Sequence, residues 1–239
     1  MNHKMYEISS AGLGLAILLV LPVVFLYLHW KLNYKFIIYA AMRMFAQLML
    51  IGYFLVFIFK SENVLIVLLV LSVMILSSSW IALSSVKERR INLYISVLAA
   101  ITIGGTLTLF FVTQLILQLN PWYEPAYMVP IAGMIYANAM NSVSLAAERY
   151  YAELSRGEAV IKAKRTSFQA SLIPVVNSLF AVGLVSLPGM MTGQILSGVS
   201  PLIAARYQIV VMCMVLSSAG ISSALFLLLA SKYDPPLQA

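Results

Sequence analysis

Charge is scarce in this sequence. Charged residues make up 10% of its 239 positions, against about 25% in an average soluble domain. Cysteine occurs once, at Cys213, which excludes an intrachain disulfide. The two histidines, His3 and His29, stand at opposite ends of the first apolar segment, which argues against a histidine metal cage. The chain has no G-x-x-x-x-G-K-S/T phosphate loop, no H-E-x-x-H pair and no G-x-S-x-G elbow. No loop is long enough to fold a catalytic domain. Enzymatic chemistry, ATP hydrolysis included, is therefore not expected of this chain. Any driving energy must come from an ion gradient, a membrane potential or a partner protein.

What the chain has in excess is apolar surface. Hydrophobic residues make up 62% of it. A soluble fold of this size leaves roughly a quarter of its unfolded area in water and could not hide so much. An integral membrane protein is left. Seven segments reach the roughly 20 residues a helix needs to cross a bilayer: about 11–29, 36–59, 64–86, 91–118, 127–147, 173–196 and 207–230. Runs such as Val64 to Leu71 do not alternate, so barrel strands are excluded. The expected fold is an all-α, polytopic bundle forming one transmembrane domain over residues 1–239. The first segment lacks a convincing cleavage site and reads as a retained span.

The net charge of +7 points to cytoplasmic loops, not to nucleic acid. With the N-terminus outside, the inner side receives Lys31, Lys35, Arg43, Lys87, Arg89, Arg90, Arg149, Arg156, Lys162, Lys164, Arg165 and Lys232. The outer side receives only Lys4, Lys60 and Arg206. Positive residues concentrate inside, so an outer N-terminus and a cytoplasmic C-terminus are expected, in a cell (inner or plasma) membrane. One loop stands out, about 148–172. Eight charges fall within 18 of its residues, from Glu148 to Arg165. The segment reads as two short helices broken at Gly157, with Glu158 and Lys162 as a favourable i,i+4 pair.

Polar groups inside spans face the bundle interior or a cavity. Arg43 and Gln47 share a face of span two, where Arg43 either snorkels or borders a path. Asn138, Asn141 and Ser142 cluster on span five, either as interhelical hydrogen bonds or as a polar lining. In span six, Pro188 and Gly189 predict a kink or break, and Gly189 with Gly193 makes a G-x-x-x-G spacing. Gln194 follows as a further path candidate. Met134, Met140, Met190 and Met191 offer thioether sulfur to a soft metal, although methionine is also an apolar filler. The 120–125 loop carries Trp122 and Tyr123 as interfacial anchors, with Glu124 beside them.

Several strings resemble the FetB family of ABC transporter permeases, which also includes YbbM-type bacterial proteins and plant aluminium-tolerance permeases. They are Arg43-Met44-x-x-Gln47-Leu48-x-Leu50-x-Gly52-Tyr53, Pro130-Ile131-x-Gly133-Met134-Ile135, Asn138-Ala139-Met140-Asn141-x-x-Ser144-Leu145-Ala146, and the unbroken run from Val182 to Leu196. The likeness covers about residues 10–230. It implies a homodimeric permease in the lipid bilayer, paired with a separate FetA-like ATP-binding cassette subunit that holds ATP and Mg. It also implies export of iron or another metal ion. Glu153, Gly157 and Ile173-Pro174 fall in the order of the loop by which such permeases meet their ATPase, at a wider spacing. Glu153, Arg156, Gly157, Glu158 and Lys162 are the corresponding contact candidates. A gradient-driven secondary transporter is the alternative. It would need intramembrane carboxylates or a sodium site, and the absence of acidic residues from the span cores argues against proton coupling through Asp or Glu.

Overall fold

The computed structural model describes residues 9–60, 63–86 and 90–231. His3, Lys4, Glu7, Glu62, Lys87, Arg89, Lys232 and the side chain of Arg90 lie outside what it describes. The chain forms two compact units, Met1–Ser61 and Glu62–Ala239.

In the first unit, α1 (Ser10–Leu18) and α2 (Leu21–His29) take the place of the single helix expected over 11–29. The reason is Pro22. It has no N–H to give the carbonyl of Leu18, four residues back, and α1 ends at that residue. Ser9 caps α1, its Oγ accepting from the Gly12 amide at 3.1 Å. Helix α3 (Tyr34–Phe59) is 26 residues long, about 39 Å at 1.5 Å per residue. Its residues are almost all exposed, as an apolar helix facing lipid or further protein must be.

The second unit holds α4 (Val64–Ala82), α5 (Arg90–Phe110), α6 (Pro125–Ser155), α7 (Val160–Ala181), α8 (Gly189–Leu196) and α9 (Pro201–Ala230). Helix α5 continues as a π-helical segment over Phe111–Ile116. Helix α6 is the hub and packs against α4, α5, α7 and α9. Ala132, Ile135, Ala139, Val143, Ala146 and Tyr150 recur along it at steps of three and four and are buried throughout. Two glycines of α5 set the spacing of this core. A Cβ on Gly104 would run into Ser222 Oγ and come within 3.0 Å of the Ser222 amide nitrogen, so α5 and α9 cross nearly backbone to backbone. A Cβ on Gly105 would stand 2.5 Å from the Tyr136 ring. Hydroxyls in these apolar helices mostly turn back onto their own backbone. Ser79 donates to Ile75 O at 2.8 Å, Thr108 to Gly104 O at 2.8 Å and Ser167 to Ala163 O at 2.6 Å. This satisfies them without water.

Five helical segments are long and apolar enough to cross a bilayer: Ala11–His29, Tyr34–Phe59, Val64–Ala82, Ile91–Ile116 and Pro201–Ala230. The protein is therefore an all-helical, multi-pass membrane protein. Helix α6 is less apolar, because its neighbours enclose it and hydrogen-bonding groups can be met by protein. The expected span 173–196 is discontinuous. Helix α7 stops at Ala181, and α8 starts at Gly189 with Pro188 as its N-cap. Between them, Gly183 takes a φ of +81°, a conformation that suits glycine.

The charged segment 148–172 is not a pair of short helices in a loop. Helix α6 runs on through Glu148 to Ser155, and α7 starts at Val160. Only the turn at Gly157, with a φ of +83°, interrupts them. The 31 residues of α6 extend about 46 Å, well beyond a hydrocarbon core of about 30 Å. Its charged end is thus a rigid extension of the helix.

Candidate functional site

Two features concentrate polar chemistry in the second unit: the tip of the α6–α7 hairpin, and the amides near α8. The tip is built around Glu153, whose side chain is only 10% exposed. Its Oε1 accepts from Arg149 Nη2 at 2.6 Å and from Arg156 Nη1 at 3.4 Å. Both arginines belong to the same helix end, at i−4 and i+3, so the carboxylate ties the last two turns of α6 together. Of the expected ATPase contacts, Glu153 therefore faces inward as a brace, and Arg156 stays outside, 64% exposed. Beyond Gly157, Lys162 Nζ donates to Glu158 Oε1 at 2.8 Å. That bond and the charge of Glu158 raise the Lys162 pKa above its ordinary value. The hairpin tip thus presents cations on a stiff frame.

Lower on the hairpin, Ser142 is buried and its Oγ donates to Ser171 O of α7 at 3.2 Å. It serves helix pairing. Asn138 is half-buried and donates to Met134 O of its own helix at 2.8 Å. Asn141 is exposed. Neighbouring residues of a helix point about 100° apart, so Asn141 turns away from the packing contact that Ser142 makes. Gln194 on α8 is half-buried, and its Oε1 is shut from solvent with no hydrogen-bond partner among the described residues. The same holds for Oε1 of Gln208, a buried residue of α9, against which α8 packs. An unmet buried carbonyl costs roughly 1–3 kcal/mol, so two such groups in neighbouring helices are notable. Beside α8 lies a cavity of about 240 Å³ lined by Tyr127, Pro130, Met190, Tyr207 and Val210 among others.

Arg43 and Gln47 are exposed on one side of α3, in the first unit. Met140 and Met190 are half-buried and pack on the hydrophobic core, and Met191 is half-buried on α8. Gly189 and Gly193 have nothing within 4 Å of an added Cβ. No helix of the described chain uses their G-x-x-x-G face. Gly104, Gly105, Tyr136, Asn177 and Gln208 were not singled out by sequence reading. Two adjacent glycines inside an apolar run were the available signal for the first two.

The sequence profile of the uncharacterised protein family UPF0014 matches residues 10–233. The chain belongs to that family. It is 34% identical over 240 residues to a UPF0014 membrane protein of Synechocystis, covering 93% of this chain and 92% of the relative. It is 36% identical over 234 residues to the probable iron export permease protein FetB of Escherichia coli, covering 91% and 89%. To the protein ALUMINUM SENSITIVE 3 of Arabidopsis thaliana it is 34% identical over 201 residues, covering 78% and 72%. No solved structure matches. One of these relatives is named a permease, which agrees with the multi-pass membrane architecture of this chain.

Proposed function

We propose that this chain is the membrane-spanning permease subunit of an ATP-driven transporter that exports iron or another metal ion. The observation that carries the reading is the α6–α7 hairpin. A 31-residue helix overshoots the bilayer, its charged end is braced through Glu153, and a cationic turn is held at its tip. The chain has no phosphate loop, so a separate ATP-binding subunit would bind ATP and Mg and push on this tip. Arg156, Glu158 and Lys162 are the surface residues for that contact, and Gly157 shapes the turn between them.

The reading takes α6 and the broken α7–α8 pair as two further spans, which makes seven. It places the N-terminus outside and the hairpin tip in the cytoplasm, on the side where positive residues concentrate. Two copies and two ATPase subunits complete the assembly in a cell membrane. Closure of the ATPases would rock the helices between inward-open and outward-open states. Net transport requires that the metal bind one state better than the other. Arg43, Gln47, Asn138, Asn141 and Gln194 are the path-lining groups of this reading, joined by Gln208. Each is an amide or cation on a span, where polar groups are retained for a pathway or a partner. Pro188 and Gly189 provide the break at which α8 can move relative to α7.

Co-purification tests this. The chain expressed with a candidate ATP-binding subunit should hold it through detergent extraction and raise its ATPase rate. A Gly157→Pro or Arg156→Glu variant should lose the stimulation. A subunit that neither binds nor responds would refute the proposal.

A further inference from the structure

A metal that crosses this chain needs donor atoms, and the usual cluster is not there. Among the described residues, no three His, Cys, Asp or Glu side chains come together. Neutral oxygens and thioethers are the donors that remain. They converge at the cavity of about 240 Å³ between α6, α8 and α9, flanked by Val112 of the π-helical segment. Tyr127 and Tyr207 line it from α6 and α9, and neither hydroxyl has a hydrogen bond among the described residues. Tyr136, in the core of the same unit, shows the contrast: its hydroxyl lies 3.2 Å from Thr106 Oγ1. Met190 brings a thioether from the first turn of α8. Apolar walls carrying a few unpaired polar groups are the usual make-up of a ligand site.

Carbonyl groups add to this set. Pro130 and Ala126 both line the cavity, and proline has no N–H to give the Ala126 carbonyl, four residues back. Gln194 lies one turn from Met190 on α8, and Gln208 lies three residues from Val211, another wall residue of α9. Gln208 is 5% exposed, and the Oε1 atoms of both glutamines are sealed from solvent without a partner. Size fits a hydrated ion. The cavity holds about eight waters at roughly 30 Å³ each, room for an octahedral ion that keeps most of about six waters. Position fits an exit. Residues 126–131 lie within about 10 Å of the Pro125 end of α6, the outer end under the proposed function, on which this inference rests. Glu124, half-buried just before α6, has no ion pair among the described residues and attracts cations to that end. Arg206 is exposed and turned about 100° from Tyr207 around α9.

We infer that this cavity is the exit-side station of the exported metal, with the Met190 thioether and the Tyr127 and Tyr207 hydroxyls as its direct donors. Water kept by the ion bridges to the Ala126 and Gln208 carbonyls. Neutral donors and retained water hold an ion weakly, which a site that must release its cargo requires. The thioether sets the chemical class: a borderline transition-metal ion such as ferrous iron, in preference to magnesium or calcium, which take oxygen ligands.

The test uses the full chain in detergent without any ATP-binding subunit, dialysed anaerobically to equilibrium against ferrous iron. Met190→Leu conserves volume and removes the sulfur, so it should weaken binding about tenfold. Met190→Cys keeps a sulfur donor and should recover much of that loss. Tyr127→Phe and Tyr207→Phe each remove one oxygen and should weaken binding severalfold; they carry the test if a Met190 variant fails to fold. Met214→Leu changes a buried methionine of α9 outside this cavity and should bind as wild type does. Excess magnesium should leave the iron in place. No iron binding, equal binding in Met190→Leu and both tyrosine variants, a loss confined to Met214→Leu, or displacement by magnesium would overturn the site. If the cavity variants lose iron but no ATP-binding subunit is ever stimulated, the site stands and the permease reading falls. If stimulation holds and no cavity variant changes iron binding, the site falls and the permease reading stands.

Discussion

Substitution of Gly104 by alanine isolates the crossing of α5 and α9. The new Cβ would collide with Ser222 Oγ and lie 3.0 Å from the Ser222 nitrogen and 3.2 Å from its Cα. A side-chain oxygen can rotate away, but backbone atoms of a buried helix cannot, so the helices must separate. Overpacking of this kind costs about 1–3 kcal/mol. Alanine also removes the helix penalty of glycine, roughly 0.5–1 kcal/mol, which blurs a comparison with wild type. Gly220 on α9 is the control. It is also helical, and an alanine there meets nothing within 4 Å. Both variants take the same propensity gain, so their difference is the contact alone. At about 2–4 °C per kcal/mol for a chain of this size, Gly104→Ala should melt several degrees below Gly220→Ala in detergent. Adding Ser222→Ala should recover part of the gap, because it removes the closest atom and leaves the backbone contacts. Equal melting temperatures for the two alanine variants would refute the close crossing.

Glu153→Gln should loosen the end of α6, costing about 1–2 kcal/mol because two arginines lose a charged acceptor; ATPase stimulation should fall with it, and Glu153→Asp should restore little, its carboxylate being one methylene too short. Gln194→Leu and Gln208→Leu should leave thermal stability equal or higher, since each removes an unmet buried carbonyl, while metal flux drops; unchanged flux would take both amides off the path. Lys162 has a raised pKa in the folded chain, so from neutral pH up to the ordinary lysine value of 10.5 its pairing with Glu158 stabilises in full, and this is lost as pH rises through the folded value. Melting curves of wild type and Lys162→Gln should therefore keep a constant offset from neutral pH into mild alkali and converge in strong alkali.

Much of the fold was legible because membrane spans announce themselves by composition. The run from Val64 needs no tertiary information to read as a membrane-spanning helix. Gly157 and the Pro188-Gly189 pair marked real interruptions, since both act through local backbone geometry. Expectations failed where a local pairing was overlooked or a distant contact decides. Helix α6 passes beyond Ala147 into charged sequence because Glu153 is braced by Arg149 and Arg156, a bond that depends on the helix already being there. Ser142 and Asn141 looked alike in sequence, and only the position of α7 separates the packing hydroxyl from the outward amide. Gln208 sits in an apolar run like its neighbours, and its burial follows from how the helices of the second unit pack around α9.

The central claim is that this chain conducts a metal ion under the power of another protein's ATP. Proteoliposomes containing the chain and a candidate ATP-binding subunit, loaded with ferrous iron, measure that directly. The account predicts iron movement that requires ATP and both proteins and is abolished when the ATPase cannot hydrolyse. Transport by this chain alone, driven by an imposed proton gradient and indifferent to ATP, would contradict it.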